Sequence, residues 1–477
     1  MKKRKQDIII GIIIFLLGII MYINWVTMHY ASDTYNIMNV GYEQYALRWS
    51  LKDGRLFMAI ITYIASKVNM PINLFVIGNL IVGIFISCLC VIKIKNIVLE
   101  NKEKNLKDTI IVTAIAFFTI FNFMYIENMY FVESSVMAIS LLCFIYSANN
   151  LVEKNKIILP TILAIIGITA YQGTIGFLMA FTFLITLIKD KKDTKTIIID
   201  FLKATAITVI AIIFNMLLVK VIGNITGQVQ NRVGSVSQIF SNIIYIIHNY
   251  LTILKDSCGL FPKYLFLIFI EIIFMISIIY DIKNKTNNTI KIFFITVVTI
   301  ASGFLVSVGT LSSFYTGRLR FCIGAVIGFL LIYMFVKMKN KNMKIILTTM
   351  IIIYGIANIW DCLYITNEHK QVNKYEKQEV EEIQEYIENK EVNKIAILVI
   401  KGKSNKTYFE EINSQSVITY NALRCDWAAE GLVNFYIENN LQRINLTKEQ
   451  LEKYSKIKDD KGYEIVDDIL VLETYMY

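Results

Sequence analysis

The chain has 477 residues, 55% of them hydrophobic, and a mean hydropathy of +0.53, which together exclude an ordinary soluble domain. The net charge is +10, but the Lys and Arg residues are concentrated in a few short connections. That distribution is a signal of membrane topology and does not indicate a nucleic-acid partner.

Apolar runs near the roughly 20 residues needed to cross a bilayer recur as far as Asp361. They predict eleven spans, at about residues 8–27, 72–94, 109–124, 131–148, 157–170, 174–189, 198–222, 263–281, 290–309, 321–337 and 343–362. The first run is too long for a signal-peptide core and lacks a small-residue cleavage site, so we expect it to remain as a helix.

Alternate connections between these spans are basic. Three to five Lys or Arg residues lie in each of the N-terminus and residues 93–108, 189–196, 281–291 and 337–344. The opposite connections are poor in basic residues: residues 123–130 have no Lys or Arg, and 223–262 have only Arg232 and Lys255. The positive-inside rule therefore predicts a cytoplasmic N-terminus and an extracytoplasmic C-terminal tail.

Two segments test this orientation. Residues 157–189 are one long apolar run, but Tyr171-Gln172-Gly173 interrupts it, and a break there keeps Lys189 to Lys195 cytoplasmic. Residues 56–67 are too short to span the membrane and are predicted to form an in-plane or re-entrant helix.

The first outer loop, residues 28–71, contains an acid, a cation and an aromatic stripe close to the predicted membrane surface. It places Asp33 just past the first span and ends a predicted surface helix with the turn Asp53-Gly54-Arg55. An aromatic stripe suited to the membrane interface follows at three- and four-residue spacing: Tyr35, Met38, Tyr42, Tyr45 and Trp49. The opposite side carries Asn36, Asn39 and Glu43.

Each of these features has a plainer interpretation. Asp33 follows Ser32 and could be only a helix N-cap. Aromatic belts are ordinary in membrane proteins, and Gly54-Arg55 could be a C-cap with a cation reaching toward the headgroups.

Other polar groups are predicted to lie at the outer face. Glu127 and Glu133 flank a short outer turn, where they could line the same cavity as Asp33. The alternatives are that Glu127 is solvated, which we favour, and that Glu133 only complements a helix dipole. Tyr171 and Gln172 could hydrogen-bond a sugar ring or satisfy backbone groups at the helix break.

Three arginines are candidates for binding a phosphate at this face, since a guanidinium is a bidentate partner of phosphate. Arg318 and Arg320 lie in an otherwise uncharged turn, and Arg232 lies within the outer loop 223–262. Phospholipid headgroup contact is the alternative. In the same loop, Ile239 to Leu254 is predicted to lie on the membrane.

The tail beyond about Thr366 changes character, because apolar runs stop and charge rises. It predicts a charged helix at Tyr375–Asn389, strands at Lys394–Ile400 and Val417–Tyr420, an amphipathic helix at Asp426–Asn439, and one or two strands within Tyr463–Thr474. We therefore expect an all-α polytopic membrane domain, residues 1–365, and a small extracytoplasmic α/β domain, residues 366–477.

No cofactor is expected. The seven cysteines lie mostly inside apolar runs, without metal-ligand or disulfide spacing, and the three histidines are scattered. A divalent metal is conceivable, but the sequence offers no evident ligand set.

The chain resembles the bacterial integral-membrane glucosyltransferases of the type-II Gtr kind, which modify O-antigens and related envelope polymers. The resemblance rests on Ser32-Asp33, Gly54-Arg55, Tyr171-Gln172 and the later segment Arg424-Cys425-Asp426-Trp427. Family members often have two consecutive acids where this chain has Asp33-Thr34, so an assisting acid would have to come from elsewhere.

This resemblance implies a GT-C type enzyme that moves a sugar, glucose by the family's pattern, from a polyprenyl phosphate to an envelope glycan outside the membrane. Asp33 would then be the catalytic base. The substrate-binding candidates are Arg55, Glu43, Glu133, Tyr171, Gln172, Arg232, Arg318 and Arg320. The expected partners are the lipid-linked sugar, the glycan acceptor and membrane lipids. An envelope-polymer polymerase or ligase and a lipid-linked sugar flippase are the rival hypotheses.

Overall fold

The computed structural model describes residues 2–27, 29–100, 105–189, 193–227, 235–257, 265–310, 316–338, 340–400, 418, 421–437, 441–458 and 460–475. Within these ranges the chain is mostly helical, with one four-stranded sheet near the C-terminus. A large apolar core joins the helices of the membrane part, and a second core lies within the C-terminal part.

The N-terminal half of the chain forms eleven α-helices. They are α1 (Lys2–Met21), α2 (Ile23–Thr27), α3 (Ser32–Val40), α4 (Tyr42–Tyr45), α5 (Leu56–Lys67), α6 (Ile72–Val98), α7 (Leu106–Ile120), α8 (Ile126–Tyr130), α9 (Ser134–Lys154), α10 (Ile158–Ala170) and α11 (Gly176–Ile188), as far as the described residues show. One-turn 3₁₀ segments follow α7, at Phe123–Tyr125, and α10, at Gln172–Thr174. The predicted break near Tyr171 is thus confirmed.

The later helices are fewer and include the longest in the protein. They are α12 (Thr194–Thr226), α13 (Val236–Ser257), α14 (Leu265–Asn284), α15 (Thr289–Gly303), α16 (Leu305–Gly309), α17 (Phe321–Gly324), α18 (Val326–Lys337), α19 (Lys341–Ile387), α20 (Ala429–Ile437) and α21 (Lys448–Ile457). A 3₁₀ turn at Gly317–Arg320 leads into α17. The predicted surface helix of the long outer loop corresponds to α13, whose Phe240, Ile244 and Ile247 are exposed.

Every predicted span overlaps a described helix, but the count of eleven spans is not established. Five helical segments are individually long and apolar enough to cross a membrane: Ile72–Val98, Ser134–Lys154, Thr194–Thr226, Gly317–Lys337 and Lys341–Ile387. Two bent pairs raise the number to seven if each pair is one span, with bends of 81° between α1 and α2–α3 and 46° after α7. The short helix α5 agrees with the prediction that residues 56–67 do not span.

The first outer loop does not form the single interfacial helix that its aromatic spacing predicts. Gly41 adopts φ +78°, a conformation that glycine tolerates, and it separates α3 from α4. α4 continues into a π-helical turn at Ala46–Leu51. The aromatic stripe is therefore divided: Tyr35 packs into the C-terminal core, whereas Tyr42 and Tyr45 pack against α5 and α6.

The last membrane helix and the predicted charged helix at Tyr375–Asn389 are one element. α19 has 47 residues, which at about 1.5 Å per residue exceeds twice the thickness of a bilayer core. Its polar half still carries buried apolar residues at helical spacing, Val380, Ile383 and Ile387, which pack into the C-terminal core. The helix thus passes without interruption across residue 365, where the composition changes.

The C-terminal sheet contains β1 (Lys394–Ile400), β2 (Gln442–Arg443), β3 (Tyr463–Val466) and β4 (Ile469–Tyr475), in the order β2-β1-β4-β3. β1 is parallel to β2 and β4, and β3 forms an antiparallel hairpin with β4. The predicted first strand, amphipathic helix and closing strands are confirmed as β1, α20, β3 and β4. Of the predicted strand at 417–420, only residue 418 lies within the described residues.

Candidate active site

The turn after the first outer helices brings a cation into the protein. Gly54 has φ +74°, and the turn directs Arg55 inward, where its Nη1 donates to Glu133 Oε1 at 2.7 Å. The Tyr45 hydroxyl donates to the same oxygen at 3.4 Å. Glu133 is 2% exposed and precedes the first turn of α9. Arg55 and Glu133, both predicted to lie at the outer face, therefore form one partly buried ion pair.

The interrupted helix pair α10–α11 supports this turn from the other side. The Gln172 side chain donates from Nε2 to the backbone carbonyl of Asp53 at 2.8 Å, so it satisfies a backbone group and fixes the turn. The Arg55 guanidinium lies 5.8 Å from the centre of the Tyr171 ring. Tyr171 and Gln172 thus contact the turn that carries Arg55.

A second Arg–Glu pair lies beside the first. Glu127 is fully buried and accepts the backbone N–H of Arg318 at 3.3 Å, and the Arg318 Nε lies 3.7 Å from its other oxygen. The Arg318 guanidinium also stacks 4.1 Å from the centre of the Phe131 ring. The interpretation of Glu127 as a solvated surface acid is therefore wrong, because the 3₁₀ turn at Gly317–Arg320 covers it.

Asp33 lies in the first turn of α3, where the helix dipole favours a negative charge. It is not the N-cap: the helix begins at Ser32, Ala31 occupies the cap position, and the Ser32 amide donates to the Tyr130 hydroxyl at 3.3 Å. The half-buried carboxylate interacts electrostatically with Arg318 and with the Tyr45 hydroxyl. Asp33 and the two Arg–Glu pairs therefore belong to one cluster.

Three buried polar atoms in this cluster have no hydrogen-bond partner among the described residues: Arg55 Nε, Glu133 Oε2 and the Tyr171 hydroxyl. A buried polar atom without a partner costs about 1–3 kcal/mol, which a hydrogen bond to a bound ligand or water would offset. The Tyr171 hydroxyl interacts electrostatically with both arginines and both glutamates. These atoms mark the polar centre of the cluster.

Protonation states at this centre follow from burial and charge. Burial raises the pKa of the Tyr171 phenol to about 12, so its hydroxyl keeps its proton at neutral pH and can donate. Burial alone would lower the pKa of the Arg55 guanidinium, but the carboxylates of Glu133 and Asp53 raise it above its usual value. Arg55 is therefore a permanent cation and Tyr171 a permanent donor.

Three further residues that the sequence predicts for substrate binding have other positions: Glu43, Arg320 and Arg232. Glu43 is exposed and lies 3.6 Å from Lys67 on the surface. Arg320 is fully buried and donates from Nη1 to the carbonyl of Ile253 in α13 at 2.8 Å, which ties that helix to the turn. Arg232 lies outside the described residues.

Sequence inspection missed two parts of the arrangement. Phe131 beneath Arg318 and the Tyr45 hydroxyl beside Glu133 are both contacts between distant segments. Tyr45 appears in the aromatic stripe, but the stripe predicted a lipid-facing side chain. Within the described part of the chain, no group of three or more His, Cys, Asp or Glu side chains is arranged to hold a metal ion.

The cluster combines two kinds of group. Its guanidinium groups suit an anionic ligand, and its carboxylates suit a ligand that carries a hydroxyl. A guanidinium has five N–H donors, and the single contact with Glu133 Oε1 occupies one donor of Arg55. Glu133 therefore orients the Arg55 guanidinium while leaving other Arg55 donors for an anion, and Glu127 lies against the Arg318 guanidinium. Asp33 is less buried than either glutamate, so its carboxylate is the more accessible to a bound molecule.

A family model described as "Glucosyl transferase GtrII" matches residues 22–335. The matched range includes Asp33, Arg55, Glu127, Glu133, Tyr171 and Arg318. It ends before α19, so the C-terminal sheet and its helices lie outside it. No curated protein shows significant similarity to the chain.

Proposed function

The chain belongs to the glucosyl transferase GtrII family and is a membrane glycosyltransferase, and we propose that its donor is a glucosyl polyprenyl phosphate. The acceptor is a hydroxyl of an envelope glycan, and transfer takes place at the outer face of the membrane. The observation that carries this proposal is the convergence of Asp33 with Arg55 and Arg318 in one partly buried cluster. A lipid-linked donor needs no nucleotide-binding fold, and its phosphate needs cations at the membrane surface.

The proposed reaction is a displacement at the anomeric carbon. Asp33 accepts the proton of the acceptor hydroxyl as its oxygen forms the new glycosidic bond. The bond from the anomeric carbon to the phosphate oxygen breaks, and the polyprenyl phosphate leaves with the electron pair. Arg55 and Arg318 stabilise the negative charge that develops on this phosphate. The Tyr171 hydroxyl, which has no protein partner among the described residues, donates to a sugar or phosphate oxygen.

Arg320 has a different role in this proposal. It is fully buried and bonded to the Ile253 carbonyl, so it braces α13 against the turn that carries Arg318. Asn242 anchors the same helix, since its Nδ2 donates to the carbonyls of Val308 at 3.1 Å and Thr310 at 2.8 Å. The exposed apolar side of α13 then contacts lipid at the outer interface.

The proposed orientation places the N-terminus in the cytoplasm and the C-terminal sheet outside, because basic connections alternate with charge-poor ones. We expect a cysteine introduced at exposed Glu449 to react with a membrane-impermeant maleimide on intact cells. A cysteine at Lys283, at the end of α14, should react only after the cells are permeabilised. The unsubstituted chain serves as the background control, and the reverse pattern of labelling would contradict this topology.

Transfer itself can be measured with purified protein in proteoliposomes. We expect labelled glucose to move from a synthetic glucosyl polyprenyl phosphate to envelope glycan isolated from a strain that lacks the gene. UDP-glucose without the lipid carrier should give no product. Transfer from UDP-glucose alone would overturn the proposed donor.

Glycan analysis of a deletion strain separates the rival functions. Loss of a glucosyl branch with unchanged polymer length supports the transferase. A shortened polymer would indicate a polymerase or ligase, and accumulation of an unused lipid-linked sugar would indicate a flippase.

A further inference from the structure

One face of α19 lies along the segment that leads into the Asp33 helix. Four polar residues at helical spacing form this face, which we call the α19 seam: Thr366, His369, Asn373 and Glu376. All four are buried, with exposures from 0% to 6%. Asn24 donates to the Thr366 hydroxyl at 3.1 Å, and the His369 ring packs edge-on to Trp25 and His29.

Asn373 binds both backbone polar groups of one residue in the segment that leads into α3. The Tyr30 N–H donates to Asn373 Oδ1 at 2.9 Å, and Asn373 Nδ2 donates to the Tyr30 carbonyl at 3.0 Å. Tyr30 lies two residues before α3 and three before Asp33. The two bonds therefore fix the backbone at the point where the chain enters the Asp33 helix.

Glu376 extends this clamp into the C-terminal domain. Its Oε2 accepts from Asn373 Nδ2 at 2.9 Å and from the Tyr35 hydroxyl of α3 at 3.3 Å. Its Oε1 accepts from the Ala422 N–H at 2.6 Å. One buried carboxylate thus joins α19, α3 and the segment that precedes α20.

Close packing of α20 on α3 adds a steric constraint. A Cβ at Gly431 would lie 2.0 Å from the Tyr35 carbonyl oxygen, so the two helices approach at a distance that only glycine allows. The helix that carries Asp33 is therefore fixed by Asn373 before its first turn, by Glu376 at Tyr35, and by α20 along its side.

We propose that Asn373 and Glu376 are positioning residues that set the location of the Asp33 carboxylate, so that the C-terminal region outside the family match takes part in catalysis through α3. This inference rests on the proposed role of Asp33. The hydrogen bonds of Asn373 and Glu376 reach Tyr30, Tyr35 and Ala422 and do not involve the Arg–Glu pairs. Their loss should therefore affect the rate at bound substrate rather than donor binding.

The test compares Asn373→Ala with Asn434→Ala in the full-length protein. Asn434 is a matched control, since its amide also binds both backbone groups of one residue: it accepts from the Leu441 N–H at 3.0 Å and donates to the Leu441 carbonyl at 3.2 Å. That clamp lies within the C-terminal domain and does not involve residues 30–35. Both variants remove these two types of hydrogen bond, and Asn373→Ala also removes the bond from Asn373 Nδ2 to Glu376 Oε2.

We expect Asn373→Ala to lower kcat about 10- to 100-fold, because a displacement near 1 Å at a catalytic group costs about that much. Its KM for the donor and its Tm should stay close to those of Asn434→Ala, whose kcat should match the unsubstituted enzyme. Glu376→Ala should act on the same step, so the double variant with Asn373→Ala should be less impaired than the product of the single effects.

Equal kcat values for Asn373→Ala and Asn434→Ala, with Asp33→Asn inactive, would overturn this inference and leave the proposed function intact. The inference would also fail if the Asn373 and Glu376 variants lowered the total transfer rate only as much as they lowered the amount of folded protein. Full activity of the Asp33→Asn variant would contradict both the proposed catalytic base and this inference.

Discussion

Replacing Asp33 with Asn is expected to lower the transfer rate by about 100- to 10,000-fold, the usual contribution of a general base. Asn has nearly the same shape, and the carboxylate is half-buried in the first turn of α3, so the structural change is small. The loss of a favourable charge at a helix N-terminus costs about 0.3–1 kcal/mol. Transfer in membranes should therefore fall far more than the amount of folded protein.

Asp193→Asn is the matched control for this substitution. Asp193 is also an acid at a helix N-terminus, capping α12 through a 2.9 Å bond from the Thr196 N–H, but it lies at a basic connection on the predicted cytoplasmic side. Asn caps a helix about as well as Asp, so this variant should transfer at the normal rate. If Glu133→Gln were inactive while Asp33→Asn remained active, Glu133 would be the base.

Much of the membrane architecture could be predicted from hydropathy, because a helix is the only continuous structure that satisfies the backbone of an isolated apolar segment. The break at Tyr171 and the short helix α5 were also predictable from length and polar interruption. Helix continuity beyond the membrane was not. α19 continues because Val380, Ile383 and Ile387 pack against a core. That core includes residues much later in the chain, such as Leu472.

The parts of the cluster could be named from the sequence, but their pairing could not. Glu127 is charged and lies at the start of a short outer turn, so its sequence context predicts a solvated residue. Its burial depends on Arg318, which is 191 residues away in the chain. Likewise, two arginines separated by one residue look equivalent in the sequence, yet Arg318 faces Glu127 and Arg320 faces the Ile253 carbonyl.

The contacts of the α19 seam could not be predicted from the sequence. Asn373 and Glu376 lie in a stretch rich in charged residues, where a solvated helix surface is the simplest interpretation. Gly41 and Gly431 are similarly uninformative in the sequence. Their roles, a positive φ between two helices and a close approach to a backbone oxygen, depend on tertiary contacts.

The other large effect is expected for Arg318, provided that its buried partner is neutralised as well. Arg318→Ala alone leaves the Glu127 carboxylate buried without its cation, and breaking a buried ion pair in this way typically costs about 3–5 kcal/mol. That variant could fail simply by misfolding. The double variant Arg318→Met with Glu127→Gln removes both charges together and keeps most of the side-chain volume, which is often close to neutral for folding.

We expect the double variant to reach a normal amount in the membrane but to transfer glucose about 100- to 1,000-fold more slowly, the usual effect of losing one group that stabilises a developing negative charge. The matched control is Lys95→Met with Asp7→Asn, which removes a partly buried ion pair between α6 and α1 at the predicted cytoplasmic side. Membrane transfer assays at equal protein levels provide the measurement. Normal transfer by the Arg318 double variant would show that Arg318 only shields Glu127, and Arg55 would then be the remaining candidate within the described cluster for the cation that faces the leaving phosphate.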